Sequence, residues 1–328
     1  MEKSAKIYLL FFFVTNFLAS IHSLDPICNS RALPDPKSLR SDQITVLING
    51  YSESRIHLLR RIAATYSSLP FVASVLILWG NPKTPPQTLT QITQNLTSYF
   101  GGAPISLLLQ STDSLNSRFL PRPEITTRAV AICDDDIEID TKSFEFAFKI
   151  WESNREKLVG FFPRSHDLDL SIKSWIYTVH SYKYSILLTK FMIIQTDYLE
   201  KYSCSGDNSR IAIMREFVDE MRNCEDILMN FVVSDETNSG PVLVEAKRLR
   251  DHGDARNEEK DGMEMRNAGL SSRRREHRKR RGECIREFHK VFGKMPLRYS
   301  YGKLVSSVGE QGLCVKGGKL VFCDQQIF

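Results

Sequence analysis

Residues 129–136 read Ala-Val-Ala-Ile-Cys-Asp-Asp-Asp, and this stretch decides the fold. Its first five residues form a short, unbroken apolar run of the length of a buried strand. Three carboxylates, Asp134, Asp135 and Asp136, stand at its C-terminal end. Three more such runs lie upstream. Residues 44–48 (ITVLI) end at Asn49-Gly50, residues 71–79 (FVASVLILW) stop at Gly80-Asn81-Pro82, and residues 105–109 form the third. Between the first two, Ile56, Leu58, Leu59, Ile62 and Ala63 share one face of a helix over residues 54–66, and residues 89–99 are weakly helical. Strands alternating with helices in this order predict βαβ units, hence an α/β fold with a mostly parallel central sheet. Ligands of such sheets gather at the C-terminal strand ends, where Asp134 stands.

Downstream, residues 141–151 carry Phe144, Phe148 and Trp151 on one side of a helix, and residues 159–162 form a short strand. Residues 165–190 are mixed and aromatic, 190–194 are apolar, and 211–233 contain the helical stretch CEDILMNFVV. Residues 250–282 are charged, punctuated by Gly and nearly free of large apolar side chains, which predicts a mobile basic loop. A closing helix follows over 284–292. The expected layout is an N-terminal targeting segment over 1–25, a lead-in over 26–41, one domain over 42–305 and a tail over 306–328.

The chain has 328 residues, of which 25% are charged and 42% hydrophobic, close to the globular average. A disordered, collagen-like or coiled-coil protein is thereby excluded. Lys and Arg number 44 against 39 Asp and Glu, but residues 273–281 (RRREHRKRR) alone carry seven cations and one Glu. The rest of the chain is close to neutral, so the basic balance is local and gives no argument for nucleic acid. Aromatic residues are absent from the run, which removes stacking on bases as well. Residues 2–6 are a charged start and 7–19 (IYLLFFFVTNFLA) an apolar stretch, short of the roughly 20 residues a membrane span needs. A signal peptide or a type II signal anchor fits, and either sends the remainder to the secretory lumen, with membrane association through the N-terminus in the second case. Seven cysteines (Cys28, Cys133, Cys204, Cys224, Cys284, Cys314 and Cys323) are then in an oxidising compartment, and their odd number leaves at least one unpaired within the chain. Asn95-Leu96-Thr97 is an N-x-S/T sequon, which makes Asn95 the expected glycosylation site.

Three adjacent carboxylates repel one another and rise in pKa unless a cation sits among them. A hard divalent metal takes carboxylate oxygens and completes its shell with phosphate and water, so the triplet suits a nucleoside diphosphate held through Mg²⁺ or Mn²⁺. Glu225 and Asp226 stand where a helix begins, a position favoured by exposed amides and suited to facing a sugar carbon. The basic run reads as a solvated loop, a polyanion patch or the source of an Arg that neutralises a departing diphosphate. Arg55 and Arg118 lie in loops near strand ends, placed to meet phosphate or carboxylate. His166, His180 and His252 lack metal spacing. Serine hydrolase, zincin, zinc-ribbon and P-loop motifs are absent from the sequence.

Four ordered blocks, AICDDDIEID (131–140), GFFPRSH (160–166), NCEDILMNF (223–231) and GKMPLRYS (293–300), resemble the exostosin-like glycosyltransferase domain, glycosyltransferase family 64, in its plant form. The resemblance spans about residues 42–301. It implies a GT-A type nucleotide-sugar-binding fold, a UDP- or GDP-sugar donor, Mn²⁺ with Mg²⁺ as the alternative, and transfer with retention of configuration. By position it makes Asp134, Asp135 and Asp136 the metal and nucleotide-sugar motif, with Asp136 and Asp134 as metal ligands. It assigns nucleotide-sugar contacts to Arg55, Asn81, Asp113, Asn116, Arg118 and Glu225, catalysis to Asp226, and the leaving diphosphate to Arg281. It also implies a disulfide between Cys224 and Cys284. Plant relatives act on sphingolipid head groups and animal relatives on heparan-type chains, so a glycan or glycosphingolipid acceptor and a Golgi or endoplasmic reticulum location are expected. A non-catalytic lumenal glycan-binding or scaffold protein of the same fold is the alternative.

Overall fold

The computed structural model describes residue 28 and residues 33–97, 102–206, 208–253, 274–306 and 313–322. The targeting segment expected over 1–25 lies outside them. The first half follows the alternation in the sequence: β1 (Arg40–Gly50), α1 (Ile56–Ser67), β2 (Val72–Trp79), α2 (Pro86–Thr97), β3 (Ile105–Leu109) and β4 (Thr127–Asp134). Then come β5 (Ile137–Ile139), α3 (Thr141–Glu152), β6 (Val159–Gly160), β7 (Pro163–Asp169), β8 (Ser174–Thr178), β9 (Ile186–Leu187) and β10 (Phe191–Gln195). The last part holds α4 (Asp197–Ser203), α5 (Arg210–Met221), α6 (Glu225–Thr237), β11 (Val242–Val244), β12 (Leu249–Asp251), α7 (Arg274–Phe292), β13 (Lys303–Leu304), β14 (Leu313–Lys316) and β15 (Lys319–Phe322).

Eight strands form the central sheet in the order β13-β11-β6-β10-β4-β1-β2-β3. Only β10 runs against the others, pairing antiparallel with β4 and β6, so the expected α/β architecture with a mostly parallel sheet is present. Alternation along each strand feeds two cores. Val46, Ile48, Ile77, Ala131, Cys133 and Ile193 face α1, α2 and α3. Leu47, Leu76, Leu78, Val130, Ile132, Met192 and Ile194 face α4, α5, α6 and α7. Burial on both faces explains why these strands read as continuous apolar runs in the sequence. The register pairs Asn49 of β1 with Asp134 of β4, so the acid triplet begins where the parallel strands end.

One expectation is corrected. The basic stretch 250–282 is not all loop. Leu249–Asp251 pairs antiparallel with β5, and the residues from Arg274 lengthen the closing helix to 19 residues. Arg and Lys are good helix formers. Glu276 and Arg280 pair one turn apart at 2.6 Å, and Arg281 and Cys284 are buried. Residues 254–273 lie outside the described residues. The helical stretch CEDILMNFVV is present as α6, and it is set off from α5 by Arg222 (φ 47°) and Cys224 (φ 82°), which both adopt left-handed backbone. That conformation costs a non-glycine residue about 1–2 kcal/mol. Here it turns the chain so that α6 begins at Glu225.

Two disulfides are present among the described residues. Cys224 joins Cys284, tying the start of α6 to α7. Cys28 joins Cys204 at the end of α4, a pairing the sequence left open. Cys133 is free and buried, and Cys323 lies outside the described residues. The start of α6 is further fixed by Asn230, whose amide accepts from Leu187 N–H at 3.0 Å and donates to Leu187 C=O at 2.9 Å. Asn230 is 1% exposed, so its loss leaves two buried backbone groups unpaired. Asn230→Ala is expected to lower stability by about 2–4 kcal/mol in urea unfolding. An unchanged midpoint would show that the two helices and disulfides hold α6 without it.

Candidate active site

The site assembles from the sheet edge, one loop and two helix starts. At the edge, Arg55, in the turn between β1 and α1, sends Nη1 to Asp135 Oδ1 at 2.7 Å and to Asp136 Oδ2 at 3.0 Å. Tyr51 N–H donates to the second oxygen of Asp135 at 3.4 Å. In a 3-10 turn over Leu115–Phe119, Arg118 sends Nη1 to Asp134 Oδ1 at 3.1 Å and to Glu225 Oε1 at 3.3 Å. Thr189 also donates to Glu225 Oε1, at 3.1 Å. One guanidinium thus joins the acid triplet to the first residue of α6. Arg281 from α7 completes the group: Nη2 donates to Asp226 Oδ2 at 2.7 Å, Nη1 to Asn223 Oδ1 at 3.1 Å, and the guanidinium lies 4.6 Å from the centre of the Tyr177 ring. Lys190 pairs with Asp251 of β12, beside the triplet.

The electrostatics follow from burial. Arg118, Glu225, Asp226 and Arg281 are each at most 6% exposed. Burial, with repulsion from Asp136 and only partial relief from Arg118, raises the Asp134 pKa to about 6. Burial also raises Asp136, against the pull of Arg55 and with repulsion from Asp135 and Asp251. Glu225 rises by burial and by the charge of Asp226, with Arg118 opposing. His277, one helical turn before Arg281, is pushed down to about 4 by burial and by the Arg281 charge, with Asp226 opposing.

The residues present fit a divalent cation held together with an anion. The ion pairs join five carboxylates (Asp134, Asp135, Asp136, Glu225 and Asp226) to three guanidinium groups (Arg55, Arg118 and Arg281), a formal charge of −2. Asp251 and Lys190 alongside are paired and add nothing to the sum. Among the described residues no three His, Cys, Asp and Glu side chains converge as a metal-ligating set. Mg²⁺ is commonly held by one or two carboxylates, with substrate phosphate and water in the remaining positions. Arg55 Nε and Nη2, Arg118 Nε and Arg281 Nε are buried without a hydrogen-bond partner, which is unmet donor capacity suited to phosphate oxygens.

The structure brings Arg55, Arg118, Asp134, Asp135, Asp136, Glu225, Asp226 and Arg281 together. Asn81 stands at the same sheet edge after β2, where its Oδ1 accepts from Lys83 N–H at 3.0 Å. Asn116 is turned elsewhere: it donates to Arg215 C=O at 2.9 Å and accepts from Tyr202 O–H at 2.5 Å, which braces the turn that carries Arg118. Asp113 pairs with Arg222 at 2.7 Å, both well exposed. Asn95 is exposed on α2. Sequence reasoning missed Tyr177, Lys190, Asp251 and His277. Of these, His277 carried a signal, because it sits four residues before Arg281 and so on the same helix face.

Residues 44–309 match the model of the glycosyl transferase family 64 domain. The chain is 60% identical over 328 residues to glycosyltransferase family protein 64 C3 of Arabidopsis thaliana, covering 98% of this chain and 99% of that one. It is 32% identical to glycosylinositol phosphorylceramide mannosyl transferase 1 of the same plant, over 92% of this chain and 88% of the relative. Human exostosin-like 2 is 27% identical, over 88% of this chain and 84% of its own. A solved GalNAc-T7 with UDP, GalNAc and Mn2+ covers 61% of this chain and 41% of that chain at a TM-score of 0.39 and 9% identity, too slight a likeness to bear on the site.

Two outcomes are expected. Arg118→Ala strands two carboxylates in the interior and should cost about 3–5 kcal/mol in chemical unfolding. A small loss would mean that Asp134 and Glu225 are not held by this guanidinium. The fold favours the protonated form of Asp134, whose pKa rises from 3.8 to about 6. Its contribution to stability is therefore full below the unfolded value and is lost as pH rises through about 6. The gain in thermal midpoint on adding Mn²⁺ with UDP should accordingly grow between about pH 5 and about pH 7. A gain that is flat over this window would show that Asp134 does not titrate there.

Proposed function

The chain belongs to glycosyl transferase family 64, and from that premise we propose that it is a retaining glycosyltransferase of GT-A type. It moves a hexose or N-acetylhexosamine from a UDP- or GDP-sugar to a glycan or glycosphingolipid acceptor, with Mn²⁺ or Mg²⁺, in the lumen of the Golgi or endoplasmic reticulum. The observation that carries this reading is the Arg118 bridge, which unites the acid triplet of β4 with the two carboxylates that open α6. The relatives named for inositolphosphorylceramide transfer, at 32% and 28% identity, support a glycolipid acceptor. The two disulfides suit an oxidising lumen.

The geometry supports the following division of labour. Asp136 and Asp134 would hold the divalent cation, whose charge offsets that of the donor diphosphate. Arg55 and Arg118 present buried, unpartnered N–H groups to anionic oxygens at the sheet edge. Asp226, 3% exposed, would supply the carboxylate that stabilises positive charge growing at the anomeric carbon. Arg281 is already bonded to Asp226, so a phosphate leaving beside that carboxylate meets its guanidinium without rearrangement. The acceptor hydroxyl then approaches on the face the nucleotide leaves, which gives retention. His277, held neutral beside Arg281, adds a hydrogen-bonding group without further charge.

The test is hydrolysis and transfer with a panel of UDP- and GDP-sugars. Asp136→Ala should abolish cation-dependent nucleotide binding. Asp226→Asn should keep that binding and lower turnover by about 100- to 1,000-fold. Turnover by neither protein nor variants across the panel, with no cation-dependent nucleotide binding, would overturn the reading.

A further inference from the structure

Two features stand apart from the site: the outward part of the basic run, and exposed apolar side chains on the β7–β8 hairpin. Leu168, Leu170 and Ile172 are 44%, 76% and 62% exposed. They are three of twelve exposed large apolar side chains among the described residues, and they lie within five consecutive positions. The tip that carries them is built. Asp169 Oδ1 accepts from Ser171 N–H at 2.9 Å and from Ser171 O–H at 2.6 Å, and Lys173 closes the turn in left-handed backbone at φ 48°. The turn holds the apolar groups out in water, at a hydration cost that a binding surface would recover.

The other end of this hairpin is a wall of the candidate site. Tyr177, near the end of β8, lies against Arg281. From Ser174, next to the tip, to Tyr177 the strand spans about 10 Å. α7 lies along β8: Arg286 Nη1 donates to Trp175 C=O at 3.4 Å, and the His289 ring is 5.6 Å from that of Trp175. Its first turns present Arg278, Lys279 and Arg280 to solvent. Arg280 is paired with Glu276, and Arg278 and Lys279 have no ion-pair partner among the described residues. α7 runs antiparallel to β8, so the apolar tip and the unmatched cationic turn lie towards opposite ends of that strand, with Tyr177 and Arg281 between them.

We propose that the β7–β8 tip and the outer face of the first turns of α7 dock on an anionic lipid bilayer, which presents a membrane-borne acceptor head group to the site between them. This rests on the glycolipid reading of the acceptor. Apolar side chains enter the interfacial layer and the cations meet lipid phosphates, the pairing that defines an interfacial contact. A second copy of the chain fits the patch poorly, because a stable dimer buries about 800 Å² on each partner and three side chains on a narrow tip fall well short. Continuity through the hairpin from tip to Tyr177 places a head group of a few sugars within reach of Asp226.

The experiment is hydrogen exchange of the full chain with and without vesicles of phosphatidylcholine and phosphatidylinositol. Because exchange is read segment by segment, the apolar N-terminal stretch does not confuse the result. Amides over 168–173 and in the first turns of α7 should slow when vesicles are added, and less so with phosphatidylcholine alone. The double variant Leu170→Ser with Ile172→Ser should lose the protection over 168–173, keep that of β4, and hydrolyse donor in solution at the wild-type rate. No protection, equal protection in the double variant, indifference to phosphatidylinositol, or protection that appears with rising protein concentration and no vesicles would overturn the proposal. Donor hydrolysis by the wild-type chain is scored separately, so a failure of the glycosyltransferase reading is told apart from a failure of docking.

Discussion

One guanidinium holds the two halves of the site to each other. Arg118 shares its Nη1 between Asp134, at the end of a central strand, and Glu225, at the start of a helix 91 positions further along the chain. A buried cation between two carboxylates is stable only while both partners stay, so sheet edge and helix start are fixed relative to each other. Asn116 reinforces this from behind by bonding the turn of Arg118 to α4 and α5. The arrangement makes one site of elements that belong to the opposite halves of the chain.

The backbone works towards the same end. Two left-handed residues, Arg222 and Cys224, interrupt what would otherwise run as one helix, and the interruption is what places Glu225 and Asp226 at a helix N-terminus. Cys224 is also a disulfide partner of Cys284 on α7. Arg281 lies three residues before that cysteine, so the same bridge that fastens the break sets the distance of the guanidinium from Asp226. Strain at the break, the cross-link and the ion pair are one device.

The sheet was legible because its strands are buried on both faces and therefore read as unbroken apolar runs, as at residues 71–79 and 129–133. The acid triplet stood out in the sequence because three adjacent carboxylates after such a run repel one another unless a cation lies among them. The break at Arg222 did not, since neither Arg nor Cys favours left-handed backbone and only the tertiary partners impose it. The helical state of residues 274–282 was hidden by their charge. One buried side, made of Arg281 and Cys284, suffices to fix a helix whose other faces are wholly polar. Tyr177 sat in a mixed segment without period and reaches the site on β8, whereas Lys190 precedes β10, whose pairing with β4 sets it beside Asp134.

The charge of the cluster bears on how the proposed donor would bind. Five carboxylates against three guanidinium groups leave a formal −2, which repels a diphosphate. Buried N–H groups on Arg55, Arg118 and Arg281 lack partners and favour the same diphosphate. A divalent cation alone removes the first effect and leaves the second unmet. A diphosphate alone meets the second and aggravates the first. Only the two together satisfy charge and hydrogen bonding at once, so each should raise the affinity of the other by the same factor. On the proposed reading, the cluster selects the cation–nucleotide pair over either component.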